Sequence, residues 1–171
     1  MKKNILLILF LLLWLLSSAI ASPLQIGGKA PDFKLKDITG KEFSLNAPPW
    51  RGKVLLFIAM PIKESKTNAA VSEAIAKDAG IDRGNKLAGA AIFAAPSEAA
   101  LTALKARQKQ TGKIFLIDQD QAVTKLWGLS RGSSNVVFLD KTRVCRYIFP
   151  GKLSTAEIAK LVQTIKTYQA R

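Results

Sequence analysis

Few residues in this chain are equipped for chemistry. One cysteine, Cys145, stands in Arg143-Val144-Cys145-Arg146-Tyr147, and the 171 residues contain no histidine. Arginines beside a thiol favour the thiolate, which is how reactive cysteines are made. Along a strand, however, Val144 and Arg146 point to the face opposite Cys145, so a buried and inert thiol is the first expectation. In an oxidising compartment a lone thiol also lends itself to a mixed disulfide or a covalent dimer. The absence of histidine removes Ser-His-Asp and Cys-His catalysis and the two-histidine iron sites. One thiol makes neither an intramolecular disulfide nor a four-cysteine zinc site.

Two other clusters have the right residue types. Lys63, Glu64, Ser65 and Lys66 fall where a helix begins. Free backbone N–H groups there attract anions, and the two lysines add to the attraction. Capping of the helix by Ser65 or Thr67 is the more economical reading, and a Ser-Lys dyad lacks any carbonyl-activating neighbour. Asp118-Gln119-Asp120 resembles a metal-binding pair, but no third oxygen ligand follows at calcium spacing. Asp118 is therefore expected as an N-cap. No cofactor and no metal is implied.

Hydrophobic patterning supplies the elements that must position these groups. Residues 33–37 and 42–45 alternate around Ile38-Thr39-Gly40-Lys41 and predict a hairpin, followed by a loop over 46–52. Val54 to Met60 and Leu87 to Phe93 are apolar runs expected as strands buried on both faces, with a third at Ile114 to Ile117. Between them, helices are predicted over about 66–79, closed by Gly80, and from Ser97 through Leu101 and Leu104. Val123, Leu126 and Trp127 mark a short helix ended by Gly128. Strands at Asn135 to Leu139 and Arg143 to Phe149 flank the turn Asp140-Lys141-Thr142. Ser154-Thr155-Ala156-Glu157 is a capping box, and Ile158, Leu161, Val162 and Ile165 form one apolar stripe behind it. Trp50, Trp127, Phe138 and Tyr147 fall where these patterns turn inward. Alternating strands and helices imply an α/β domain whose central mixed sheet has helices on both faces and an N-terminal β-hairpin extension.

Lys2 and Lys3, the apolar run Ile5 to Leu16, and Ser17 to Ala21 are expected to be a signal peptide cleaved after Ala21. The alternative is an uncleaved anchor, the one circumstance in which a membrane would be a partner. Residues 1–21 are thus assigned to export and 22–171 to one domain, with the periplasm as the expected location. Against 12 acidic residues the chain carries 26 basic ones, so the exported part stays strongly cationic without its two leading lysines. For an exported chain this points to anionic lipids, glycans or acidic proteins rather than nucleic acid. The basic residues are scattered, which also suits a merely solvated surface.

The element order, together with Ala30-Pro31-Asp32-Phe33, Gly52-Lys53-Val54-Leu55-Leu56, Phe115-Leu116-Ile117-Asp118, Leu126-Trp127-Gly128-Leu129 and Val137-Phe138-Leu139-Asp140, resembles the thioredoxin-like superfamily over residues 26–168. The similar branch contains periplasmic thiol-disulfide proteins of the TlpA type and peroxiredoxins. Asn68-Ala69, Glu73-Ala74-Ile75, Ser133-Ser134 and Leu153-Ser154 look most like its YtfJ-like family of exported proteins. The resemblance implies a redox cysteine between the first central strand and its helix, where this chain has Met60-Pro61-Ile62-Lys63-Glu64-Ser65-Lys66-Thr67. It also implies a cis-proline where this chain has Ser134, expected trans.

Both halves of the redox site are missing together. The resemblance places Pro61, Lys63, Glu64, Ser65 and Lys66 beside Ser133 and Ser134, making these the candidate ligand or partner surface. A redox-inactive binding or accessory protein is the leading expectation, holding a periplasmic protein or an anionic ligand. A single-cysteine oxidoreductase or peroxidase using Cys145 is the alternative, and adhesion to an anionic envelope surface through net charge is a third.

Overall fold

The computed structural model describes residues 22–171; the expected export signal lies outside them. Seven strands form one sheet: β1 (Leu35–Asp37), β2 (Glu42–Phe43), β3 (Val54–Pro61), β4 (Leu87–Ala94), β5 (Phe115–Asp118), β6 (Asn135–Leu139) and β7 (Cys145–Pro150). The helices are α1 (Ala69–Lys77), α2 (Glu98–Thr111), α3 (Ala122–Leu126) and α4 (Thr155–Gln169). Strand order is β2-β1-β5-β4-β3-β6-β7, with β3/β4 and β4/β5 parallel and the remaining pairs antiparallel. The arrangement is the mixed thioredoxin-like α/β sheet anticipated above, and β1–β2 is its hairpin extension.

An unbroken apolar β3 suits a strand buried on both faces. Leu55, Phe57 and Ala59 face a core containing Trp50, Trp127, Phe33, Val137 and Cys145. Val54 faces the other way, toward Val71 and Ile75 of α1 and Leu161 and Ile165 of α4. Phe57 meets Trp50 edge-on at 5.4 Å and Trp127 at 5.6 Å, and the Trp127 Nε1–H donates to Pro31 O at 2.9 Å. The capping box forms as expected: Ser154 Oγ accepts from Glu157 N at 3.3 Å, and Ser154 N donates to Glu157 Oε2 at 2.7 Å.

Three boundaries differ from the sequence expectation. Helix α1 starts at Ala69, not near 66, because a 3-10 turn at Ile62–Glu64 and successive turn bonds occupy the preceding residues. It ends before Asp78, whose carboxylate accepts from Gly80 N at 2.8 Å and from Lys166 of α4 at 3.3 Å. Strand β7 begins at Cys145 because Arg143 takes a left-handed φ of 69° in the preceding turn.

Gly89 on β4 sits opposite Leu56 of β3, and a Cβ there would lie 1.8 Å from the Leu56 carbonyl oxygen. Neither backbone can retreat without breaking the central ladder. Gly89→Ala is expected to cost more than about 3 kcal/mol in urea unfolding, the range of severe backbone conflicts. Gly40→Ala, at a φ of +92° with no atom within 4 Å of its Cβ position, shows for comparison what left-handed backbone strain costs without a steric clash.

Candidate functional site

Strand β3 delivers the chain to the edge of the sheet at Pro61, where the expected surface begins. Ser65 N donates to Ile62 O at 3.0 Å, Thr67 N to Glu64 O at 3.0 Å, and Ala69 N to Lys66 O at 3.1 Å. Thr67 Oγ1 donates to Glu64 Oε2 at 2.5 Å. An anion at a helix start needs open N–H groups. Here several are consumed by turns, so the lysines act without that support. Lys63 and Lys66 are exposed, while Pro61, Glu64 and Ser65 are half-buried.

Neither Ser65 nor Thr67 caps α1. The residue before the helix is Asn68, and its side chain makes no cap bond. It is buried and spans three segments instead. Asn68 Nδ2 donates to Ser134 Oγ and to Gly151 O, both at 2.9 Å, and Asn68 Oδ1 accepts from Leu153 N at 3.0 Å. Both carboxamide donors and one acceptor site are thereby used. Ser134 is 0% exposed, so it belongs to the support of the site and not to an open ligand surface. No peptide bond among the described residues is cis, so Ser134 is trans. Read alone, an asparagine before a helix signals a cap, which is why its bridging role was not visible.

A cleft of about 290 Å³ lies beside this tie, lined by Met60, Pro61, Gln121, Thr124, Ser133 and Asn135 among others. The loop on its far side is held by buried Asn135: Nδ2 donates to Ser130 O at 2.9 Å and Ser133 O at 3.0 Å, while Oδ1 accepts from Ser130 N at 3.0 Å. Of the sequence candidates, Pro61 and Ser133 thus meet in one cleft. Ser65 instead lines a neighbouring depression, and Lys63, Glu64 and Lys66 line neither. Asn135 had been legible only as a strand start.

The acidic pair separates into different roles. Asp118 is buried, and its carboxylate accepts from Val123 N at 3.2 Å and from Thr124 N and Oγ1 at 3.1 Å. It caps α3 from the end of β5, although the residue directly before α3 is Gln121 in a left-handed conformation. Asp120 is exposed. Among the described residues no three histidine, cysteine or acidic side chains gather as a metal site would require.

Cys145 is the first residue of β7, paired with Leu139 of β6, and its side chain lies in the core with 0% exposure. Burial pushes its thiol from 9.0 up to about 11, against smaller opposing effects from the Tyr147 backbone and the Arg146 charge. Arg146 pairs with Asp140 at 2.7 Å and lies over the Tyr168 ring at 4.8 Å. Arg143 donates to Trp50 O at 2.9 Å and Lys53 O at 2.8 Å. Both arginines are committed to structure. Burial opposes the charged form of Asp140, yet hydrogen bonds from Thr142, Arg146 and the backbone hold its carboxyl below the usual carboxylate value.

Residues 52–168 match the family model described as "Bacterial protein of unknown function (YtfJ_HI0045)". The chain belongs to this family. No curated protein matches it. Among solved structures, YtfJ_HI0045 architecture in this chain is similar to that of a hypothetical protein from Sinorhizobium meliloti 1021, at TM-score 0.64 and 25% identity, covering 87% of this chain and 86% of that one. It is also similar to a thiol peroxidase from Chromobacterium violaceum, at TM-score 0.62 and 16% identity over 84% and 89% of the two chains. A thiol-disulfide oxidoreductase from Bacteroides fragilis NCTC 9343 follows at TM-score 0.61 and 19% identity over 80% and 98%. These likenesses show the thioredoxin-like fold. This YtfJ_HI0045 member carries its one cysteine in a different part of that fold from the β3–α1 edge.

In the folded protein Cys145 is expected to resist iodoacetamide and to react once urea unfolds the chain. Because its folded value is raised, its contribution to stability is complete below about pH 9 and is lost as pH climbs toward about 11. Urea melts across that window should show a shallower alkaline loss in Cys145→Ala, by on the order of 2 kcal/mol. Rapid alkylation of the native protein at neutral pH would contradict this placement.

Proposed function

We propose that the protein is a redox-silent binding or accessory module of the bacterial periplasm. Its cleft between Pro61 and the Ser130–Asn135 loop would hold a partner segment or small anionic ligand. The observation that carries this reading is the distance between the thiol and the site edge. Asn135, at the cleft, and Leu139, opposite Cys145, are the two ends of β6, four residues and about 13 Å apart at the ordinary strand rise. Sulfur placed there, fully buried, does not face a substrate entering the cleft.

The cleft itself supports binding over turnover. Apart from Arg131, its polar side chains are amides and hydroxyls, and no acid-base pair or activated nucleophile lies among them. Exposed Arg131 on the loop supplies positive charge for an anionic group. The same burial weighs against a single-thiol enzyme working through Cys145. Export is supported by the leading lysines, the apolar run and the small residues before Ser22.

Insulin-disulfide reduction and peroxide consumption test the reading. The purified protein is expected to match the reagent-only rate in both assays, with or without Cys145→Ala. Turnover at the rate of an ordinary thiol-disulfide oxidoreductase, abolished by that substitution, would overturn it.

A further inference from the structure

The sheet face carrying Leu56, Ile58, Ala91 and Phe115 is only partly covered. Helix α1, nine residues long, packs toward α4, with Val71 and Ile75 buried beside Leu161 and Ile165. Helix α2 places Leu104 against Phe93 and Phe115. Between the two helices β4 presents Gly89 and Ala91, which have too little side chain to fill the gap. Two adjoining depressions of about 320 and 260 Å³ result, sharing Ile58, Ser72, Ala91, Lys113 and Phe115. They form one trough along β4, distinct from the cleft at Ser130–Asn135, with which only Met60 is shared.

One end of the trough opens onto an incomplete strand edge. Arg83 bridges Leu87 on that side, and strand β5 pairs with β4 only from Ala91 onward, which leaves the stretch Ala88–Ala90 between them with no strand beside it. Val54 N donates to Lys86 O, and Ala91 N to Ile114 O. Even-numbered residues of β4 therefore bond toward β3, and odd-numbered ones toward β5. Leu87 satisfies both its groups locally, donating to Asp82 O and accepting from Gly84 N, both at 2.9 Å. The N–H and C=O of Gly89 face the trough with no backbone partner among the described residues.

Charge adds a third constraint. Arg83, Arg107 and Lys113 stand around the trough, all exposed. None takes part in either ion pair found among the described residues. Glu73 is the one acidic side chain on the walls.

We propose that this trough is a docking site for an extended peptide segment of acidic and apolar residues, seated beside Ala88–Ala90 of β4 on the Gly89 N–H and C=O. A strand there exchanges backbone hydrogen bonds with Gly89. Its apolar side chains cover Leu56, Ile58 and Ala91, and its carboxylates meet Arg83, Arg107 and Lys113. A fatty acyl chain would match the floor and the charge, but it would cover the Gly89 groups without pairing them. The site is independent of the cleft, so either can fail alone.

The test titrates the full chain, labelled with ¹⁵N, with a blocked seven-residue peptide alternating glutamate and valine. Its lysine-valine counterpart, a glutamate-valine analogue N-methylated at the central residue, and dodecanoate are titrated in parallel. The glutamate-valine peptide is expected to shift the Gly89, Ala91 and Lys113 amides and leave Ser133 and Asn135 unmoved. Affinity should be at least tenfold weaker for the lysine peptide and several-fold weaker after N-methylation. Lys113→Glu and Arg83→Glu, both on exposed side chains, should each weaken it several-fold while leaving the melting temperature in place. Equal binding of the N-methylated peptide, tighter binding of dodecanoate at the same amides, or self-association that protects Gly89 at rising protein concentration would each overturn the proposal.

Discussion

The buried carboxamide of Asn68 holds the functional edge of this protein in place. Three chain segments converge there: the start of α1, the residue before β6, and the connection from β7 to α4. None of these contacts is covalent or apolar. Each is a hydrogen bond; those to Ser134 and Leu153 are buried and that to Gly151 is half-buried, and a lost partner in the buried part leaves a polar group unpaired at about 1–3 kcal/mol. Gly151 N donating to Ser134 O at 2.6 Å closes the same ring through the backbone. In the superfamily that the fold resembles, the corresponding edge is organised around redox cysteines and a cis-proline. Here a polar tie spans that end of the sheet, and the one thiol lies elsewhere, at the start of β7.

At the start of α1, turns consume several of the backbone N–H groups. The one sulfur lies at the start of β7 and packs in the core as a small apolar side chain. Arg143 and Arg146, its neighbours in sequence, brace Trp50, Lys53, Asp140 and Tyr168. What stays open to solvent includes a cleft framed by Asn135 and a trough left uncovered by a short α1.

Much of the architecture was legible before any coordinates. The uninterrupted apolar run at 54–60 demanded a central strand, and the Ser154–Glu157 spacing fixed where the last helix starts. The inward positions of Trp127 and Cys145 follow from helix and strand period. Local pattern failed where a side chain bonds across the chain. Asn68 and Ser134 are 66 residues apart, and nothing in either neighbourhood marks them as partners. Asn135 is hidden for the same reason, as a strand-forming position whose carboxamide reaches back to its own loop. Ser134 illustrates the converse: alignment located it at the right edge, but only packing reveals that it lies beneath the surface. The left-handed turn at Arg143 and the late start of α1 likewise depend on tertiary contacts that override local propensity.

Solvent exchange of the Asn68 side-chain amide protons, followed by NMR in the folded protein, probes the organising tie most directly. The account predicts two Nδ2 protons strongly protected from exchange, with protection collapsing in Ser134→Ala while the core of β3 remains protected. Exchange of those protons at the rate of an exposed asparagine would contradict it.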